Sequence, residues 1–316
     1  MSPNSWICLH PSNATQTTVS LDNRGLAYGD GFFTTMGVID GQILWFDYHQ
    51  QRLVSHATAL QLQLDSQLLL AMLKIHAKQL QQGMLKLIIT RAEQEVRGYG
   101  YTPNIGGGSA CEIWLKSSPM AITTARSLPL ADGQFIPLQP TASAICLSSQ
   151  IACLPPTLAG LKSLNRLDNV LASGELQAIK AKTLADTIKP SIAEGLLRDI
   201  SGHWVEGTMS NVFYQLVEAP VAKSSNRPHS QNNSSNYLTQ GQWYTPSMAQ
   251  SGVAGVMRQV IIDTLSTSNN PVIIRSLQDE DLPHLSQLFF CNALRGIMPM
   301  SSLRLLSGEV VSFEAI

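Results

Sequence analysis

Residues 26–46 narrow the choice of fold first. Two apolar, strand-like runs meet at Asp40-Gly41, a pair that tolerates the positive φ of a tight hairpin turn. Asp47 is then placed to cap a helix running to about Leu64, in which Leu53, Ala57, Leu60 and Leu64 recur at helical spacing. A second helix fits residues 66–82 and ends at Gly83. Residues 84–90 and 111–116 read as strands. Between them, residues 91–108 are glycine-rich and carry Arg97, Tyr99 and Tyr101, as a mobile loop with donors and aromatic rings would.

Residues 117–140 bear Pro, Ser and Thr with little periodicity, so 121–140 is expected to be a linker between an N-terminal domain (1–120) and a C-terminal domain (141–316). In the second half a strand fits 142–147 and a helix 163–182. A meander fits 195–200, 204–209 and 212–217, around Ser201-Gly202. Residues 219–241 contain a long polar run that buries too little to fold alone and reads as a flexible surface insertion. A helical stripe through Val256, Val260 and Ile261 marks 252–265, and short apolar segments follow at 288–291 and 297–300. Hairpins mixed with isolated helices point to an α+β chain rather than a βαβ repeat. The sequence has no GxGxxG after a first strand and no GxxxxGK[ST], so the usual nucleotide-binding loops are excluded.

Composition removes other classes. Hydrophobic residues make up 44% and charged residues 14%, with a formal net charge of −1. This supports a real core and gives no electrostatic reason for a nucleic-acid or anionic-membrane partner. The five cysteines never form a CxxC pair, which argues for a reducing compartment. No basic segment leads into an apolar run at the N-terminus, and no stretch reaches the roughly 18 apolar residues of a membrane span. A cytoplasmic location is the expectation. His49, His56 and His76 sit among helix positions without Cys or carboxylates at ligand spacing, so helix histidines are expected there and no metal.

Three features could carry chemistry. Lys162 lies between Leu161 and Leu164 after a glycine, a semi-apolar setting that would lower its pKa and arm its amine against a carbonyl. Glu206 ends an apolar strand before small polar residues and suits a buried heterocycle nitrogen. The glycines of Gln250-Ser251-Gly252-Val253-Ala254-Gly255-Val256 would leave backbone N–H groups open to a phosphate. A surface lysine near a helix start, a hairpin-edge glutamate and an ordinary tight helix entry are the plain readings of the same residues.

These segments resemble the fold type IV pyridoxal-phosphate family, which holds branched-chain and D-amino acid aminotransferases and aminodeoxychorismate lyase. The likeness begins at Leu21-Asp22-Asn23-Arg24-Gly25-Leu26-Ala27-Tyr28-Gly29-Asp30-Gly31-Phe32-Phe33-Thr34-Thr35 and runs through His49-Gln50-Gln51-Arg52-Leu53, the Lys162 segment, residues 206–211 and 252–258, to Cys291-Asn292-Ala293-Leu294-Arg295-Gly296-Ile297-Met298-Pro299. The resemblance implies a two-domain α+β enzyme, with a small α/β N-terminal domain and a larger C-terminal domain built on a barrel-like mixed sheet. It implies pyridoxal 5′-phosphate as cofactor, with Lys162 as Schiff-base residue and acid–base group. Glu206 would pair with the ring nitrogen. Arg52 and the backbone N–H groups of Val253, Ala254, Ala293 and Leu294 would hold the phosphate. A homodimer is implied as well.

Within the family, Lys162-Ser163-Leu164-Asn165-Arg166-Leu167 and Cys291-Asn292-Ala293-Leu294 are similar to the lyase branch, and Ala293 stands where the aminotransferases usually have Thr or Ser. The expected substrate is then 4-amino-4-deoxychorismate, split to 4-aminobenzoate and pyruvate. Its two carboxylates need donors, for which Arg97 and Tyr99 are the candidates, with Arg91 behind them. Of Thr34 and Thr35, strand alternation allows only one to face a site. Ala92-Glu93-Gln94-Glu95-Val96 departs from the family's Gly-rich lead into Arg-Gly-Tyr. The rival expectations are a branched-chain or D-amino acid aminotransferase of the same fold and a catalytically idle binding or structural relative.

Overall fold

In the computed structural model, which describes residues 6–10, 18–103, 110–122, 126–130, 135–183, 191–217 and 237–313, the Asp40-Gly41 turn closes as the sequence requires. Asp40 has φ 52° and Gly41 φ 70°, the paired positive values of a two-residue hairpin. The chain divides into one unit of Met1–Thr123 with Leu154–Leu167 and a second of Thr124–Cys153 with Asp168–Ile316.

The first unit is a five-stranded antiparallel sheet with helices. Its elements are β1 (Trp6–His10), α1 (Arg24–Tyr28), β2 (Gly31–Ile39), β3 (Gln42–Ile43), α2 (Phe46–Ala59), α3 (Ser66–Leu80), β4 (Gly83–Arg91) and β5 (Cys111–Pro119). The strand order is β1-β5-β4-β2-β3. Leu53 and Ala57 of α2 and Leu69, Leu73 and Ala77 of α3 share a core with Phe32, Met36, Leu85, Leu87, Ile89 and Leu115. Asp47 does not cap α2. The cap position is Trp45, left-handed at φ 58°, and Asp47 lies in the first turn, where its charge still favours the helix dipole. In α3 the cap is Asp65, whose carboxylate accepts from Leu68 N–H. Gly83 begins β4 instead of ending α3, because Gln81 supplies the positive φ at the helix end.

The second unit holds β6 (Arg126–Pro129), β7 (Phe135–Leu138), β8 (Ala142–Ile151), α4 (Leu167–Thr183), β9 (Ile192–Asp199), β10 (Trp204–Gly207), β11 (Asn211–Leu216), β12 (Tyr244–Thr245), α5 (Val256–Leu265), β13 (Ile273–Ile274), β14 (Leu285–Asn292), β15 (Gly296–Arg304) and β16 (Val310–Ser312); α4 starts at the last residue of the first unit. The strands β11-β10-β9-β8-β15-β14 close on themselves through the β14–β11 pairing, a barrel with further strands attached. β8 runs parallel to β9 and β15, and β15 parallel to β7, so the sheet is mixed. The architecture is the α+β, barrel-bearing one that was expected.

Three boundaries differ from the sequence reading. The stretch taken for a linker, 121–140, carries β6 and β7, which pair with each other and, through β7, with β15. The helix expected from Ser163 starts at Leu167, because Ser163 instead bridges to Phe32 of β2. Leu154–Leu167, expected in the C-terminal half, belongs to the first unit. Of the expected insertion at 219–241, only 237–241 is described, including a short 3-10 turn at Tyr237–Thr239. Among the described residues no helix is long and apolar enough to cross a membrane.

Candidate active site

Lys162 owes its place to β2. Phe33 N–H donates to Lys162 C=O at 3.0 Å and Leu164 N–H donates to Gly31 C=O at 3.0 Å, so the lysine lies on the strand edge and its ammonium sits 4.6 Å from the Phe33 ring centre. α2 presents the neighbouring polar groups. Arg52 and His56 are buried there at 8% and 5% exposure. Burial lowers the Arg52 guanidinium to about 10, which is the response of a cation deprived of water. Burial lowers His56 to about 3, aided by the positive charges of Arg52, Lys162 and Arg166. His49 is held well below its usual range by burial and by Arg52. Its Nδ1 bonds Thr34 Oγ1 at 3.0 Å, while its Nε2 is a buried atom without a partner among the described residues. The cluster is thus cationic, with Arg52 buried beside neutral imidazoles, a donor set that suits a dianionic phosphate.

In the second unit Glu206 is the last residue but one of β10 and is 3% exposed. Val253 N–H donates to its Oε2 at 2.8 Å and Asn169 Nδ2 to its Oε1 at 3.3 Å. Asn169 Oδ1 is buried with no partner among the described residues. Gly252 holds φ +77° beside this carboxylate, and a Cβ there would come within 2.8 Å of Val205. The strand turn after Glu206 is fixed from β9. Glu194 accepts from Thr208 N–H at 3.0 Å, Thr208 Oγ1 at 2.6 Å and Ser210 Oγ at 2.7 Å. Behind it, Asn211 Nδ2 donates to Val253 C=O at 2.7 Å, and Ser251 Oγ donates to Asp199 at 2.8 Å. A buried carboxylate on such a rigid frame suits a protonated ring nitrogen.

The other expected residues fall into place unevenly. Two of the four backbone donors assigned to a phosphate are engaged within the protein: Val253 N–H by Glu206, and Leu294 N–H by Asn292 Oδ1 at 3.1 Å. Ala254 and Ala293 lie on the same two loops, before α5 and between β14 and β15. Arg91 is not available to a substrate. It is 4% exposed, with Nε on Asp30 at 2.9 Å and Nη2 on Leu60 C=O at 2.7 Å. Thr34 is fully buried against His49 and Thr35 faces the other way, as strand alternation requires. Arg97 and Tyr99 are exposed; Tyr99 packs edge-on against Tyr28 at 5.2 Å, and Arg24 donates to Tyr99 C=O. No cluster of potential metal ligands exists among the described residues.

Comparison with known proteins gives this geometry a family. Residues 31–303 match the description amino-transferase class IV. The chain belongs to the amino-transferase class IV family. This class IV chain is 25% identical over 289 residues to aminodeoxychorismate lyase of Vibrio harveyi, covering 91% of the chain and 88% of that protein. It superposes on the crystal structure of 4-amino-4-deoxychorismate lyase from Pseudomonas aeruginosa with a TM-score of 0.69 and 28% identity, over 95% of this chain and 92% of the other. The branched-chain amino acid aminotransferase of Escherichia coli shares the class IV fold at a TM-score of 0.64 and 16% identity, over 95% and 86% of the two chains.

Sequence reasoning missed His56, Asn169 and Glu194 as members of these clusters. The one available signal was spacing: His56 follows Arg52 by one helical turn, so both share a face of α2.

Proposed function

We propose that this class IV enzyme is a pyridoxal-phosphate-dependent aminodeoxychorismate lyase, converting 4-amino-4-deoxychorismate to 4-aminobenzoate and pyruvate. The observations that support the reading are, in the first unit, a strand-held Lys162 and a buried Arg52 and, in the second, a buried Glu206 that accepts from Val253 N–H and Asn169 Nδ2. The donor sets fit the cofactor: the desolvated guanidinium suits its phosphate, the carboxylate its pyridinium nitrogen. Bound pyridoxal phosphate would supply an electron sink for the carbon bearing the substrate amine.

The chain's own residues then do the following. Lys162 would hold the cofactor, and its Nζ would take the proton from the ring carbon that bears the substrate amine. Glu206 would keep the ring nitrogen protonated, and the hydrogen bonds from Val253 and Asn169 hold its carboxylate in place. Arg52 would anchor the phosphate. Arg97 and Tyr99 are the candidate partners of the substrate carboxylates. The net reaction moves one proton to the departing enolpyruvate and needs no oxidant or reductant.

The choice of lyase over aminotransferase is supported by Ala293, which places no hydroxyl at the turn between β14 and β15, and by the likeness to the two lyases. The test is to mix the purified protein with freshly generated 4-amino-4-deoxychorismate and follow both products. Equimolar 4-aminobenzoate and pyruvate, lost in a folded Lys162→Ala variant, is the expected result. A cofactor-loaded protein that makes neither product, and instead passes amino groups from amino acids to 2-oxo acids, would make it an aminotransferase.

A further inference from the structure

Lys162 is tied to the protein by an unusual backbone bond. Its neighbourhood joins β2 through the bridge of Phe32 with Ser163. A regular antiparallel pair exchanges both hydrogen bonds, so Lys162 N–H would return to Phe33 C=O. It donates instead to Nε2 of His56, at 2.9 Å. Nε2 can accept only when the ring proton sits on Nδ1, and Nδ1 lies 3.3 Å from Ser55 Oγ. Ser55 Oγ donates its own proton to Arg52 C=O at 3.1 Å, which leaves its lone pairs for Nδ1–H. The direction of every bond from Lys162 to Arg52 is therefore fixed. Phe32 packs edge-on against the imidazole at 5.3 Å, and His56 is 5% exposed.

We infer that His56 is a positioning residue for Lys162, tying the lysine backbone to the helix that bears Arg52 so that amine and guanidinium keep one spacing. The inference rests on the reading that Lys162 and Arg52 hold pyridoxal phosphate. Arg52 and His56 are four residues apart on α2, so a movement of that helix shifts both together. The imidazole has to remain neutral, because a second ring proton would set donor against donor beside Arg52, Lys162 and Arg166. Burial and these three charges favour the neutral ring.

The experiment uses the full-length protein loaded with pyridoxal phosphate, in parental, His56→Leu, His56→Gln and Ser55→Ala forms. Equilibrium dialysis gives cofactor affinity, and a pH titration of the bound cofactor's absorption reports the ionisation that Lys162 controls. His56→Leu removes the acceptor and is expected to weaken cofactor binding on the order of tenfold and to move the titration midpoint. His56→Gln, whose carbonyl oxygen reaches the place of Nε2, is expected to restore most of both. A His56→Leu protein that melts earlier yet keeps parental affinity and midpoint overturns the inference, since the bond would then serve the fold alone. Should His56→Leu fail to fold, Ser55→Ala, which keeps the imidazole and frees its tautomer, decides by the same midpoint. A parental protein that takes up no pyridoxal phosphate overturns the cofactor reading itself; uptake with an indifferent His56→Leu overturns this inference alone.

Discussion

Replacing Glu194 by Ala tests how the turn after Glu206 is held. The carboxylate is 5% exposed and receives Thr208 N–H, Thr208 Oγ1, Ser210 Oγ and Gly195 N–H. The two hydroxyls can turn toward other acceptors, but Thr208 N–H is fixed by the backbone and buried, and leaving it unpaired costs about 1–3 kcal/mol. The one methylene lost from a packed site adds roughly 0.8 kcal/mol. The expected destabilisation is therefore about 2–4 kcal/mol. Glu194→Gln keeps one carbonyl oxygen for the Thr208 donors, and Ser210 can reverse its hydroxyl, so about 1 kcal/mol is expected. Urea unfolding of the cofactor-free proteins, comparing midpoints at equal slope, measures both. If the Ala variant lay within about 0.5 kcal/mol of the parent, or the Gln variant were as unstable as the Ala one, Glu194 would not be what holds this turn.

Two further outcomes follow from the same packing. His49 and His56 have pKa values depressed in the folded state, His56 from 6.5 to about 3. The unfolded chain therefore binds more protons as pH falls below 6.5, and stability present above that pH is lost toward 3; His56→Gln should flatten the slope by one proton, about 1.4 kcal/mol per pH unit, in denaturation series run across that window. Parallel slopes for parent and variant would refute the buried neutral ring. Gly255→Ala would put a Cβ 1.9 Å from Asn211 Oδ1, which breaks the Asn211 bond to Val253 C=O; a loss of about 2 kcal/mol or more is expected in the same assay, and an unperturbed midpoint would show that the loop before α5 yields freely.

What could be read from the chain alone was whatever depends on near neighbours. The Asp40-Gly41 turn needs only its own backbone preferences, and the stripes of α2, α3 and α5 need only one buried face. Caps were less legible, because Trp45 takes a left-handed conformation that no local rule assigns to tryptophan. Long-range partners were hidden. Arg91 looked available to a substrate until Asp30, 61 residues away in sequence, was found on its guanidinium. Lys162 looked like a helix-entry lysine because its partner His56 is 106 residues distant. The strands β6 and β7 were masked by prolines, and apart from each other they join the sheet only where Leu138 of β7 pairs with Ile297 of β15. The residues of the candidate site were found by their resemblance to a family, while the hydrogen bonds that fix them were not.

The division of the chain has a consequence for synthesis. Leu154–Leu167 completes the first unit, yet thirty residues of the second, Thr124–Cys153, precede it in sequence. As the polypeptide leaves the ribosome, the first sheet has all its strands once β5 is out, but the edge of β2 waits uncovered until the segment bearing Lys162 arrives. Phe32 and His56 are then the last sites of that unit to be covered, joined across more than a hundred residues of chain. Completion of the first sheet and docking of the segment that bears Lys162 are thus separate events in time, and a nascent chain stalled before residue 154 would hold all five strands with the edge of β2 still open.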